Sequence, residues 1–84
     1  MKTKKTIAEK ISKKFNDDNT CFSVPCTYKV RINGTINEID AFLDIDEACR
    51  DQAFTYTYDS DIYTYFFEDG SMIKVDDNKW EMVS

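Results

Sequence analysis

The spacing of apolar residues changes along the chain and predicts two helices and six strands. Apolar residues recur at helical spacing over residues 7–15 and again over residues 45–52, which predicts two short helices. Thr6 and Asp44 precede these segments, and each is followed three residues later by a glutamate, as in a capping box. Elsewhere apolar and polar residues alternate, as in strands. The predicted order is α-β-β-α-β-β-β-β, an α+β fold with the helices on one sheet face.

The first pair of predicted strands forms a hairpin around Asn33-Gly34, a dipeptide typical of two-residue turns. The apolar residues that alternate along its first strand are Cys26, Tyr28, Val30 and Ile32. The returning strand is less regular, because Ile36 and Ile39 cannot share one face of a regular strand. A bulge or a G1-type loop at Gly34 would reconcile them, so the register of this hairpin stays open.

Residues 54–82 predict a four-stranded antiparallel meander, since three acidic turns separate four aromatic and β-branched segments. We assign its faces from a tight turn over residues 59–61 and two-residue turns at 69–70 and 77–78. The predicted core face carries Phe54, Tyr56, Tyr58, Ile62, Thr64, Phe66, Ile73, Val75, Trp80 and Met82. The opposite face then carries an aromatic stripe, which consists of Tyr63, Tyr65 and Phe67.

The aromatic stripe is a candidate interface if both helices cover only the other face. Tyrosine and phenylalanine are enriched in the cores of protein interfaces, and tyrosines are frequent hot spots. The alternative is that the first helix packs on the stripe, because that helix must bury Ile7, Ile11 and Phe15 somewhere. Both arrangements remain open at the level of sequence.

Charge is distributed unevenly along the chain. The chain has 84 residues and a net charge of −5, and we expect one domain over residues 1–84 with residues 1–5 frayed. Residues 1–16 hold six lysines and one glutamate, whereas the remainder holds five basic and fifteen acidic residues. Such an acidic body disfavours direct binding to nucleic acid or to an anionic membrane.

Residue types that support catalysis or metal binding are scarce. The chain has no histidine, which removes the commonest general base and the commonest metal ligand. The three cysteines, Cys21, Cys26 and Cys49, lack zinc-ligand spacing, and the two glycines cannot form a phosphate-binding loop. We therefore expect no enzyme, no cofactor and no metal. The odd cysteine number and the lack of a signal-peptide pattern favour a cytoplasmic location.

The acidic turns suggest a docking surface. In a meander the first and third turns lie at the same end of the sheet, so Asp59, Asp61, Asp76 and Asp77 should converge there. Glu68 and Asp69 should lie at the far end. Concentrated negative charge repels itself and suits a basic partner, such as the nucleic-acid-binding groove of another protein.

The closing segment, residues 62–82, resembles the sheets of small acidic phage-encoded anti-CRISPR inhibitors. It has an aromatic strand, an Asp-Gly turn and a hydrophobic return. The resemblance implies an inhibitor that binds a host CRISPR effector complex in the host cytoplasm, often by occupying its nucleic-acid path as a DNA mimic. The partner would be a basic surface of a host protein or ribonucleoprotein. The alternative is a small oligomerising structural or adaptor module, such as a homodimer, that self-associates through its exposed aromatic sheet face.

Overall fold

The structure is a computed structural model that describes residues 4–83. Both predicted helices and all six predicted strands are present in the predicted order, so the α+β fold is confirmed. The helices are α1 (Ile7–Lys14) and α2 (Ile45–Gln52). The strands are β1 (Ser23–Ile32), β2 (Thr35–Asp44), β3 (Thr55–Asp59), β4 (Ile62–Phe66), β5 (Met72–Val75) and β6 (Trp80–Val83).

The strands form two antiparallel sheets. Strands β1 and β2 pair only with each other in a two-stranded hairpin, whereas β3, β4, β5 and β6 form a meander in sequence order. The predicted frayed start, residues 1–5, lies partly outside the described residues; Lys4 and Lys5 are within them and precede α1 without regular secondary structure. Within residues 4–83, neither helix is long and apolar enough to cross a membrane.

The two helices begin differently. The predicted capping box of α1 is present, because Thr6 accepts a hydrogen bond from the Glu9 backbone N–H at 3.1 Å and Glu9 accepts one in return. The capping box predicted for α2 is wrong. Asp44 occupies the N-cap position, but its side chain accepts no capping hydrogen bond. Helix α2 is held instead at its first backbone N–H, since Ile45 donates to the Phe22 carbonyl at 2.8 Å.

The β1–β2 hairpin has a regular register without a bulge. Asn33 and Gly34 have φ of 50° and 80°, which is the left-handed conformation that a two-residue hairpin turn requires. Tyr28 therefore pairs with Ile39 on one face, while Ile36 pairs with Arg31 on the other. The expected bulge or G1-type loop at Gly34 was wrong, because Ile36 simply lies on the opposite face.

The predicted face of β4 is also wrong. Asp59 pairs with Ile62, so the first meander turn has two central residues, Ser60 and Asp61, both with positive φ. The Phe67 backbone N–H donates to the Ser71 carbonyl, so the second turn is a three-residue loop rather than the predicted two-residue turn. The two-residue turn before β4 shifts its register by one residue, so the two faces of β4 are exchanged relative to the prediction. The three-residue loop after β4 shifts the register by one residue again, so β5 and β6 have their predicted faces.

The core lies between the helices and the face of the meander that carries the aromatic stripe. Its buried apolar side chains come from both helices, from Phe15 directly after α1, from strands β4, β5 and β6, and from the β4–β5 loop. They are Ala8, Ile11, Phe15, Ile45, Ala48, Cys49, Tyr65, Phe67, Ile73, Val75 and Trp80. The Phe15 and Trp80 rings meet edge to face, with their centroids 6.3 Å apart. Both helices therefore pack on the side of the sheet that carries the stripe, with α2 bonded to Tyr65 and the end of α1 in contact with Trp80 of β6. Of the two arrangements that the sequence left open, the structure has the one in which the stripe faces the helices.

Candidate protein-binding site

The aromatic stripe contributes little exposed surface. Tyr65 and Phe67 are buried in the core, and Tyr63 is half-buried. The Tyr65 hydroxyl donates a hydrogen bond to Asp46 Oδ1 at 2.6 Å, which ties β4 to α2. Burial, followed by this hydrogen bond, raises the pKa of Tyr65. Within the stripe, only Tyr63 therefore keeps part of its side chain at the surface.

A tyrosine cluster lies where the stripe reaches the edge of the sheet. We use this name for Tyr56, Tyr58, Tyr63 and Tyr65. The rings of Tyr58 and Tyr63 have centroids 4.5 Å apart, and those of Tyr63 and Tyr65 are stacked at 5.9 Å. The members on β3 are 51% and 56% exposed, for Tyr56 and Tyr58 respectively. The cluster therefore extends from the core to the surface.

Arg50 of α2 lies over the tyrosine cluster. Its guanidinium carbon is 5.6 Å from the centroid of the Tyr56 ring and 5.3 Å from that of Tyr63. These are cation–π distances, and the contact shows that the faces of these rings accept a guanidinium. Arg50 thus links α2 to the tyrosine cluster at the surface.

The acidic end of the meander consists of Asp59, Asp61, Asp76 and Asp77. The strand order places the β3–β4 turn and the β5–β6 turn at the same end of the sheet. Asp59, Asp61 and Asp77 are exposed, whereas Asp76 is half-buried. Lys79 lies in the second of these turns, between Asn78 and Trp80.

Two of the four carboxylates at the acidic end have partners within the protein. Asp76 Oδ1 accepts the backbone N–H groups of Asn78 at 2.7 Å and Lys79 at 2.8 Å, and these bonds lower the pKa of Asp76. Asp61 Oδ1 accepts a hydrogen bond from the Tyr58 hydroxyl at 3.0 Å. That bond is the main cause of the raised pKa of Tyr58, and the charge of Asp77 contributes as well. The acidic end and the tyrosine cluster are thus continuous.

The far end of the meander carries an aspartate with a structural role. Asp69 Oδ2 accepts the Ile7 backbone N–H at 2.7 Å, while its Oδ1 accepts the Ser71 backbone N–H at 3.0 Å. Ser71 Oγ in turn accepts the Ala8 N–H at 3.2 Å. Asp69 and Ser71 therefore cap the start of α1 from the β4–β5 loop. Glu68 is exposed beside them.

Sequence reasoning missed the surface residues Tyr56, Tyr58 and Arg50. The first two were assigned to a buried core face, yet β3 is the outer strand of the meander and the helices do not cover it fully. The signal was present in the run Thr55-Tyr56-Thr57-Tyr58, because threonine and tyrosine are common on half-exposed sheet surfaces. The position of Arg50 over the rings depends on helix packing, which the sequence does not specify.

The cysteines and acids form no metal cluster within residues 4–83. Cys49 is buried, and desolvation raises the pKa of its thiol to about 12. Cys21 and Cys26 are half-buried and free. A thiol with such a pKa is a poor nucleophile at neutral pH.

Comparisons with protein-family models, with curated proteins and with solved structures found no match for this chain.

Proposed function

We propose that this protein is a non-enzymatic protein-binding module that docks on a basic surface of its partner. Its interface would be the acidic end of the meander together with the exposed rings of Tyr56 and Tyr58. The observation that carries the proposal is the direct junction of the two, where the Tyr58 hydroxyl is bonded to Asp61. Carboxylates pair with guanidinium groups in charge-assisted hydrogen bonds, and tyrosine faces attract the same cations.

The proposed interface suits arginine in particular. Arg50 already lies over Tyr56 and Tyr63, so the rings of the tyrosine cluster contact one guanidinium within the protein itself. The guanidinium of a partner arginine would lie over the ring of Tyr58 and donate hydrogen bonds to the carboxylate of Asp61 or Asp77. Nucleic-acid-binding grooves present clustered arginines and lysines, and a protein that covers such a groove blocks it.

The resemblance to anti-CRISPR inhibitors makes a CRISPR effector complex in the host cytoplasm the first partner to test. The assay measures target-DNA binding by a panel of purified CRISPR effector ribonucleoproteins in the presence of increasing amounts of this protein. We expect one effector to lose DNA binding, and we expect association to slow as the salt concentration rises.

A matched pair of charge reversals tests the interface. The site variant is Asp59→Lys with Asp77→Lys, since neither side chain accepts a hydrogen bond from the described residues. The control is Glu38→Lys with Asp40→Lys, which changes the net charge equally on exposed positions of β2. We expect the site variant to lose inhibition at least about tenfold and the control to keep it. Equal loss in both would show that only net charge matters, and no inhibition of any effector would refute the inhibitor proposal.

A further inference from the structure

The β1–β2 hairpin extends well beyond the core that anchors it. Each strand has ten residues, roughly twice the usual length. Near its base, Val24 and Leu43 pack against the core. Beyond that base, no other strand within residues 4–83 pairs with either hairpin strand. Within the described residues, the strand hydrogen bonds of the distal half are therefore those of the hairpin itself.

One face of this distal half is apolar. We call it the hairpin face, and it consists of Tyr28, Val30, Ile32 and Ile39. Tyr28, Ile32 and Ile39 are 43%, 50% and 45% exposed. Tyr28 pairs directly with Ile39, while the residues opposite Val30 and Ile32 are the uncharged Asn37 and Thr35. The hairpin face thus carries no charge.

The opposite face of the hairpin is different in character. Lys29 pairs there with Glu38, and Arg31 pairs with Ile36. Oppositely charged cross-strand pairs are typical of a surface in contact with water. This face also carries the exposed apolar side chains of Ile36 and Phe42, at 60% and 67%, but they lie among charged residues. The hairpin face differs from it in carrying no charged residue, which favours its being covered by apolar surface.

The dimensions of the chain are large for its length. Its radius of gyration is 14.7 Å, against about 12 Å for a compact domain of this length. Its exposed surface is 6276 Å², which is about 1,100 Å² more than a folded monomer of 9.8 kDa usually has. A stable protein interface buries about 800 Å² on each partner. This excess belongs to the whole chain, which also exposes Phe42, Phe54, Tyr56 and Tyr58 outside the hairpin face, and one such interface would remove most of it.

We propose that the hairpin face is the interface between two copies of this chain. A face that carries no charged residue can meet a second copy of itself without repulsion between its own side chains, as a two-fold symmetric contact requires. Two such hairpins would pack face to face at about 10 Å, with their charged faces towards water. No charged side chain belongs to the face itself. The interaction with Cys26 is the main cause of the raised pKa of Tyr28, and the charges of Glu47 and Asp51 of α2 contribute, so two acids lie beside the face. The dimer shares no residue with the acidic end or the tyrosine cluster.

The experiment measures the mass of the chain in solution by sedimentation equilibrium between micromolar and millimolar concentration. We expect the wild-type mass to rise towards about twice 9.8 kDa. The test variant is Ile39→Lys, and the matched control is Ile36→Lys, at a position that is 60% exposed on the charged face of the same hairpin. The test variant should weaken self-association roughly 100-fold or more, because it places an unpaired charge in the contact. The control should leave self-association close to that of the wild type.

A second measurement separates loss of the contact from loss of the fold. Backbone amide NMR signals of residues 28, 30 and 39 should shift on dilution of the wild type, while signals of β5 and β6 stay fixed. A wild type that is monomeric at millimolar concentration would overturn the proposal. So would equal weakening by both variants, or dilution shifts confined to β3 or α1. If the monomer instead shifts these signals on addition of phosphatidylcholine vesicles, the occupant is a membrane surface, and the dimer proposal fails.

Discussion

The exchange of faces in β4 can be tested with two neighbouring phenylalanines. Phe67 belongs to the core face and is 1% exposed, whereas Phe66 lies on the face that the helices leave open and is half-buried. The predicted assignment of faces had the two residues the other way round. Replacing each by alanine therefore measures which face is packed, with the same chemical change at adjacent positions.

Phe67→Ala should be strongly destabilising. Truncation of a fully buried phenylalanine costs about 3–5 kcal/mol, through lost transfer free energy and the cavity that remains. An 84-residue domain has a free energy of unfolding of roughly 4–13 kcal/mol, so the variant loses a large part of it. Phe66→Ala leaves no enclosed cavity, and we expect it to cost less than about 1.5 kcal/mol. At about 4–8 °C per kcal/mol, the melting temperatures should differ by at least about 6 °C.

The assay is urea unfolding followed by the fluorescence of Trp80, the single tryptophan of the chain, which is buried against Phe15. Circular dichroism should give the same midpoint if unfolding is two-state. An equal or larger loss for Phe66→Ala would refute the register described here, because it would place Phe66 in the core. A small loss for both would show that β4 contributes little to the packed interior.

Two further outcomes follow from shifted pKa values. The hydrogen bonds from Ser71 and the Ile7 N–H lower the pKa of Asp69, so its contribution to stability is complete above the unfolded carboxyl pKa of about 3.9 and is lost as pH falls through the lower folded value. Asp69→Asn should therefore lower the melting temperature at pH 7 and converge with the wild type near pH 2, whereas Glu68→Gln should have little effect at either pH. The Cys49 thiol, with its pKa raised to about 12, should react with iodoacetamide only as fast as the protein unfolds, as read by mass spectrometry. Labelling of Cys49 as fast as the half-buried Cys26 would contradict this.

The order and type of the elements could be predicted because each has a local signal. Thr6 and Glu9 mark the start of α1, and Asn33-Gly34 marks the first hairpin turn. The register of the meander could not be predicted in the same way. The segments Asp59-Ser60-Asp61 and Glu68-Asp69-Gly70 each allow turns that differ by one residue, and one residue exchanges the faces of a strand.

The exposed site was harder to predict than the fold for a related reason. Whether a tyrosine is buried depends on which helix lies over it, and helix packing is a long-range property. Tyr65 and Tyr56 face the same side of the sheet as direct cross-strand partners, yet Tyr65 is buried and bonded to Asp46 of α2, whereas Tyr56 is 51% exposed beside Arg50. The alternation of residues along a strand predicts the face on which a side chain lies, but it does not predict how much of that face the helices bury.

Some acidic residues of the meander stabilise the fold through hydrogen bonds, and others do not. Asp69 caps α1, and Asp76 holds its own turn by accepting two backbone N–H groups. Asp59 and Asp77 have no such role among the described residues, and a turn can be built as well with asparagine, serine or glycine. Their charges lie at one end of the sheet, where they repel each other. Because this repulsion brings no gain to the fold, the acidic end is the surface on which to look for a basic partner. Asp59 and Asp77 are therefore the two residues whose charges should be reversed.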